Sequence, residues 1–194
     1  MLFVICLGAA SAGAGWEFQT VDADGDTGQY VSLGVDSVGR PHLTYLASGR
    51  FKYATWTGTS WQIEAVDRGP QAGEFASMVL DGEGRPHAAY AHTAPSALRY
   101  AFLGNSGWLI ETVEPDCHVA GRTSIVLEGD GRPAIAYFDG SAVKVARRAT
   151  RPGEGEGRWE IQTVANEETV IPGVAMVMVP NDGLIITYRG GQHV

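Results

Sequence analysis

The chain has 194 residues, 44% of them hydrophobic and 19% charged, which is ample material for one sizeable domain, and its 26 glycines suit an all-β chain full of tight turns. The formal net charge is -8, and Arg147, Arg148 and Arg151, the nearest approach to a basic cluster, are closely followed by acidic residues, which argues against non-specific nucleic-acid binding. No membrane span is expected in the mature chain, because the one markedly apolar run, Leu2 to Leu7, is too short to cross a bilayer.

That run opens the chain, and small residues follow it, with Ala10-Ser11-Ala12 fitting an A-x-A cleavage site. Residues 1–14 therefore read as a secretory signal peptide lacking the usual basic start, and the mature protein is expected to be secreted, periplasmic or on the cell surface. The alternative reading of the run is an N-terminal strand. Cys6 falls before the cut, so Cys117 stands alone in the mature chain and no intramolecular disulfide can staple the fold.

From Trp16 onward the sequence repeats itself. Trp16, Trp61, Trp108 and Trp159 each open a segment of alternating apolar and polar residues, as in Trp61-Gln62-Ile63-Glu64-Ala65-Val66, at spacings of 45, 47 and 51 residues. Sixteen residues after the first three Trp come Ser32, Ser77 and Ser124, each starting an apolar strand that runs into a turn ending Gly39-Arg40-Pro41, Gly84-Arg85-Pro86 or Gly131-Arg132-Pro133. Glycine supplies the positive φ such a turn requires, and proline starts the next strand where its missing N–H does least harm. A third strand follows (His42 to Tyr45, His87 to Tyr90, Ala134 to Tyr137), then a fourth (Phe51 to Ala54, Leu98 to Ala101, Val143 to Ala146).

Four short antiparallel strands at this period predict an all-β fold, a β-propeller of four-stranded blades, with about three and a half blades present. A sandwich does not demand near-identical units, and a β-helix needs a shorter period. The blades fall at about 32–66, 77–113 and 124–164, with a partial one at 174–188 around the turn Pro180-Asn181-Asp182-Gly183; residues 16–21 form the outer strand of a preceding or closing blade. Such an arc leaves open edges, so the expectation is a fragment, an open arc or self-association through those edges.

With the Ser strand innermost and the Trp strand outermost, the Asp-x-x-Gly-Arg-Pro turns share one face with the short Gly/Ser turns. The varied loops share the other, and varied loops on a repeated scaffold are the expected place for a carbohydrate or protein ligand. His92, Asp116 and His118 fall there on neighbouring loops, with Asp139 nearby; two imidazoles and a carboxylate can serve as a general base with its orienting partner or as metal ligands. Asp22, Asp24 and Asp26 resemble the start of a calcium loop, but Gly25 is misplaced and Leu33 sits where a closing Glu belongs, so a polar Asx-type turn is the better reading and no cofactor is expected. His42, His87, Arg40, Arg85 and Arg132 recur with the repeat and read as structural, as do Tyr45, Tyr90, Tyr137 and the four Trp, which read as blade-packing aromatics.

The unit Ser32-Leu33, Val35-Asp36, Gly39, Pro41-His42, Tyr45 and Phe51-Lys52-Tyr53-Ala54 resembles the repeat of a large group of exported bacterial β-propellers. Some of these are similar to fucose-binding propeller lectins, which implies sugar binding between blades through Trp, Arg and Glu. Sialidases are propellers with Ser-x-Asp-x-Gly-x-Thr-Trp turns, and no such turn occurs here. His87 to His92 with Leu98-Arg99-Tyr100 looks somewhat like the strands of propeller polysaccharide lyases. The leading expectation is a non-catalytic exported binding or interaction module, with glycans among the ligands it would take. The alternatives are a polysaccharide lyase or glycoside hydrolase acting near His92, Asp116 and His118, and a structural segment of a larger surface protein.

Overall fold

The computed structural model describes residues 2–6, 17–155, 157–166, 171–179 and 183–189. The cleavage-site residues, Trp16 and most of the turn at 180–183 lie outside them. Sixteen strands and no helix make up the described residues, so none offers a helix long and apolar enough to cross a membrane. The first blade is β3 (Thr27–Val35), β4 (Pro41–Ala47), β5 (Arg50–Trp56) and β6 (Trp61–Asp67), paired antiparallel in that order. The second is β7 (Ala72–Leu80), β8 (Pro86–Thr93), β9 (Ser96–Gly104) and β10 (Gly107–Pro115). The third is β11 (Ser124–Leu127), β12 (Pro133–Phe138), β13 (Val143–Arg148) and β14 (Trp159–Ala165). Two-stranded sheets flank them: β15 (Ile171–Val179) with β16 (Gly183–Arg189), and β1 (Leu2–Cys6) with β2 (Glu17–Asp22). The apolar run read as part of a leader is thus placed as a strand against β2.

The Ser strands are innermost, and their recurrence has a cause. Ser32 Oγ accepts the N–H of Met78 at 3.0 Å, Ser124 Oγ accepts that of Met176 at 2.9 Å, and Ser77 Oγ lies 2.8 Å from Thr123 Oγ1. Each serine stitches its inner strand to that of the next blade, satisfying polar groups that no sheet ladder reaches. The inner strands also begin earlier than their sequence pattern suggests. β3 and β7 extend five residues ahead of Ser32 and Ser77 through irregular pairing, with Tyr30 and Phe75 in the left-handed region at φ 51° and 55°.

The core lies between blades. Phe51, Tyr53 and Val66 of the first blade pack on Ala72, Met78, Ala88 and Tyr90 of the second. Leu98, Tyr100 and Val113 of the second pack on Ile125, Ile135 and Tyr137 of the third. Middle strands are covered on both faces, so β8 and β12 are buried almost throughout instead of alternating. Outer strands lie at the rim and are more exposed than alternation implies, β14 nearly along its whole length. Their Trp side chains still turn inward: Trp108 meets Tyr53 edge-on at 5.4 Å between ring centres, and Trp159 meets Tyr100 at 5.3 Å.

Candidate functional site

On the face of the varied loops, the best-placed carboxylates are occupied in joining blades. Asp22 accepts hydrogen bonds from Tyr45 Oη (2.8 Å) and Lys52 Nζ (3.0 Å) of the following blade. Asp67 does the same for Tyr90 (2.8 Å) and Arg99 (2.7 Å), and Glu114 for Tyr137 (2.7 Å) and Lys144 (2.8 Å). Burial pushes these carboxyls up, but the hydrogen bonds and cations around them prevail and hold all three below the ordinary carboxylate range. Burial pushes the tyrosine hydroxyls up, so the three phenols remain donors. Three copies of one acid–tyrosine–cation lock mark a device of the fold. The sequence carries its signal, six residues after Trp16, Trp61 and Trp108.

Asp22 is therefore engaged, and the Asp24 N–H donates to its Oδ1 at 2.9 Å in an Asx turn, while Asp26 accepts from Gln29. Among the described residues no three His, Cys, Asp or Glu side chains are grouped as a metal would require. His92 is buried; its Nδ1 is 2.8 Å from the Pro95 carbonyl, and its Nε2 sits closely under Gly69 of the loop before β7. Asp116 is exposed with φ 53°, and the exposed His118 lies against Gly140. Asp139, beside Gly140, accepts from Ser141, Ala142 and Lys144. Burial opposes ionisation of Asp139, but Lys144 and Ser141 outweigh it and bring its pKa to about 2. Cys117 is buried beside Glu114, and burial first, then that carboxylate, push its thiol to about 12. Among the described residues, no hydrogen bond joins His92 to Asp116 or His118.

The opposite face holds a cleft of about 440 Å³ between the second and third blades. Asp81, Glu83 and Arg85 line it from the β7–β8 turn, His87 from β8, Phe102 from β9, Gly129 and Asp130 from the β11–β12 turn, and Arg151 and Glu154 from the β13–β14 loop. That loop, residues 149–158, is what distinguishes this junction; the same connection spans 57–60 in the first blade and 105–106 in the second. Its anchor is Arg148, 1% exposed, whose guanidinium donates to Glu111 of β10 at 2.8 and 3.0 Å and to the Thr150 and Arg151 carbonyls at 2.7 and 2.6 Å. Trp159 Nε1 donates to the same Glu111 at 3.0 Å. So braced, the loop carries Arg151 to the Asp130 carbonyl and Glu154 to the cleft.

His87, 2% exposed, forms the floor. Its Nδ1 is 2.6 Å from Tyr100 Oη, while its Nε2 has no hydrogen-bond partner among the described residues, since Asp81 Oδ2 lies 3.6 Å away. The Asp81 carboxylate on that side favours the neutral tautomer with the proton on Nε2, and Nδ1 then accepts from the Tyr100 hydroxyl. Burial, against the attraction of Asp81, brings the ring's pKa to about 4. In the first blade His42 pairs with Tyr53 in the same way; in the third, Ala134 and Val145 replace both partners. The pair thus recurs as a structural unit, and in the second blade alone among these three it floors this cleft.

The cleft is polar and rich in acceptors. Asp81 takes Arg85 Nε at 2.8 Å and Asp130 takes Arg132 Nε at 2.6 Å. The Arg85 guanidinium also lies over the Phe102 ring, 5.1 Å from its centre. Carboxylates, guanidiniums and one aromatic wall are groups that bind hydroxyls pairwise, accepting from one and donating to the next. The sequence pattern reads Arg85 and Arg132 as residues of the monotonous turns and His87 as a structural strand-start residue beside Pro86. The signal of the cleft was the 51-residue spacing from Trp108 to Trp159, which marks an inserted loop.

No family model matches the sequence, and no curated protein matches it significantly. Solved structures do resemble the fold. The K499G mutant of NanB sialidase from Streptococcus pneumoniae superposes over 93% of this chain and 31% of its own, with a TM-score of 0.64 at 15% identity. NanB with a chlorobenzyl-ammonio-ethanesulfonate ligand covers 79% of this chain and 26% of its own, with a TM-score of 0.58 at 14% identity. This is a propeller-type fold. A fucose lectin from Kordia zhangzhouensis overlaps 71% of the chain and 99% of its own at a TM-score of 0.49 and 16% identity. At these identities the likenesses show the fold alone, and the chain spans less than a third of the sialidase it matches.

Proposed function

We propose that this chain is an exported, non-catalytic glycan-binding propeller module whose sugar site is the cleft between the second and third blades. The observation that carries the reading is the inserted loop. A long connection held by a fully buried arginine is costly to order, and here it builds one wall of a polar groove between blades. The superposition on a sialidase supports carbohydrate as the ligand class for a fold of this kind, and the paired carboxylates and guanidiniums supply the chemistry.

A steric block tests it. Gly129 lines the cleft, has open space where a Cβ would stand, and is not among the positive-φ glycines. Gly129→Trp is expected to leave the circular dichroism spectrum unchanged and to abolish the binding that a glycan array and titration calorimetry find for the wild type. Polymer cleavage by the wild type that disappears in this variant would replace the binding reading with an enzymatic one. Export is expected to remove residues 1–14, and β1 with them. An intact mass of the secreted protein that still includes residue 2 would overturn that part.

A further inference from the structure

The balance of charge around the cleft narrows the ligand further. Four carboxylates line it, Asp81, Glu83, Asp130 and Glu154, against two guanidiniums, Arg85 and Arg151. Of the two, Arg85 is already committed to carboxylates. Arg85 is bound to Asp81 at 2.8 Å and to Glu83 at 3.3 Å with its face on Phe102, and Arg151 Nε donates to the Asp130 carbonyl. His87 beneath them adds a buried, unpartnered Nε2–H rather than a cation, and a neutral donor meets hydroxyl, ring or amide oxygens. Even with Arg132 set against Asp130, a carboxylate or sulfate entering here meets a net negative wall, in which Arg85 can be reached only by breaking its ion pairs and Arg151 is the one guanidinium outside such a pair. A hydroxyl meets acceptors already in place and breaks nothing.

We infer that the cleft selects an uncharged, hydroxyl-rich sugar and rejects uronic, sialic and sulfated glycans. This rests on the cleft being a glycan site. It sets the protein's specificity apart from what its overlap with a sialidase alone suggests.

The test measures the full chain by calorimetry at low salt against matched oligosaccharides with and without a uronic or sialic residue, in the wild type and in the Glu83→Gln/Glu154→Gln double variant. The neutral ligand is expected to bind the wild type at least tenfold more tightly than its anionic counterpart. In the double variant the ratio of anionic to neutral affinity is expected to rise about threefold per charge removed. Equal or tighter binding of the anionic ligand by the wild type overturns the inference and leaves the glycan reading standing, as does an unchanged ratio in the variant. Failure of every glycan to bind the wild type, by contrast, overturns the functional reading itself and this inference with it.

Discussion

A buried imidazole kept neutral makes stability depend on pH in a definite direction. His87 titrates near 6.5 when unfolded and at about 4 in the fold, because burial outweighs the pull of Asp81. Between those values the unfolded chain holds a proton that the native state lacks, so acidification favours unfolding. The contribution is complete above pH 6.5 and is lost as the pH falls towards 4. From pH 7.5 to 5 it amounts to about 2 kcal/mol. Asp81, Arg85, Tyr100 and Phe102 surround the ring, and burial notwithstanding, the Arg85 and Glu83 hydrogen bonds keep the Asp81 carboxyl below its ordinary range, so it stays ionised through this window. The third blade suggests the control, since Ala134 and Val145 occupy there the places of His87 and Tyr100. The His87→Ala/Tyr100→Val double variant is expected to be less stable at neutral pH, through the cavity it leaves, but to lose about 2 kcal/mol less than the wild type on going to pH 5. Urea titrations at the two pH values measure the difference, and parallel losses would assign the acid sensitivity elsewhere. The sequence shows that His87 recurs with His42, which identifies its structural pairing. It does not show that Nε2 goes unsatisfied, because that depends on a 3.6 Å gap set by the turn above it.

At the scale of elements, two devices join neighbouring blades, and they differ in how far the sequence reveals them. The acid–tyrosine–cation lock is periodic. Asp67, Tyr90 and Arg99 have counterparts at fixed offsets in the first and third blades, so self-comparison finds them once the residue after the Trp strand is aligned. Asp22 looked like part of a calcium loop because its neighbours Asp24 and Asp26 drew the pattern across the loop rather than across the repeat. Removing one member leaves the others buried without a partner. Asp67→Ala is expected to cost about 3 kcal/mol by chemical denaturation, and Tyr90→Phe about 1 kcal/mol. Equal small effects would mean that water replaces the acid. The Arg148 brace has no counterpart in its sister blades, where Trp56 and Leu103 hold the corresponding strand position, and only the lengthened spacing announces it. Arg148→Met leaves Glu111 without its cation and frees the loop carbonyls. It is expected to make the chain sensitive to limited trypsin cleavage after Arg158 and to abolish glycan binding, with the far-ultraviolet spectrum retained. A loop that stays protected in this variant would show that Trp159 and the loop's own hydrogen bonds are sufficient to hold it.

Across the whole molecule, stability is expected to be uneven, because repeats that contact only their neighbours behave as a nearly one-dimensional stack. The second blade is packed on both sides, by Phe51 and Tyr53 from one direction and by Ile125 and Tyr137 from the other. Every residue of β8 from Pro86 to His92 is buried, whereas β16 alternates between half-buried and exposed, with Ile185 51% exposed. The number and order of these sheets were legible in the Trp and Ser spacings, since sheet pairing follows chain order within each unit. Their unequal burial was not legible, because it depends on which neighbours a repeat has, and identical strand patterns can face either a core or solvent. Local opening of a strand costs what its packing contributes, so amide exchange should rank the elements by their neighbours. Mass-resolved hydrogen exchange is expected to show the slowest amides in β8 and β9, intermediate ones in β4, β5, β12 and β13, and the fastest ladder amides in β16. Protection of β16 equal to that of β8 at high protein concentration, but lost on dilution, would mean that its outer edge pairs with another copy, and the ranking would then describe an assembly rather than a single chain.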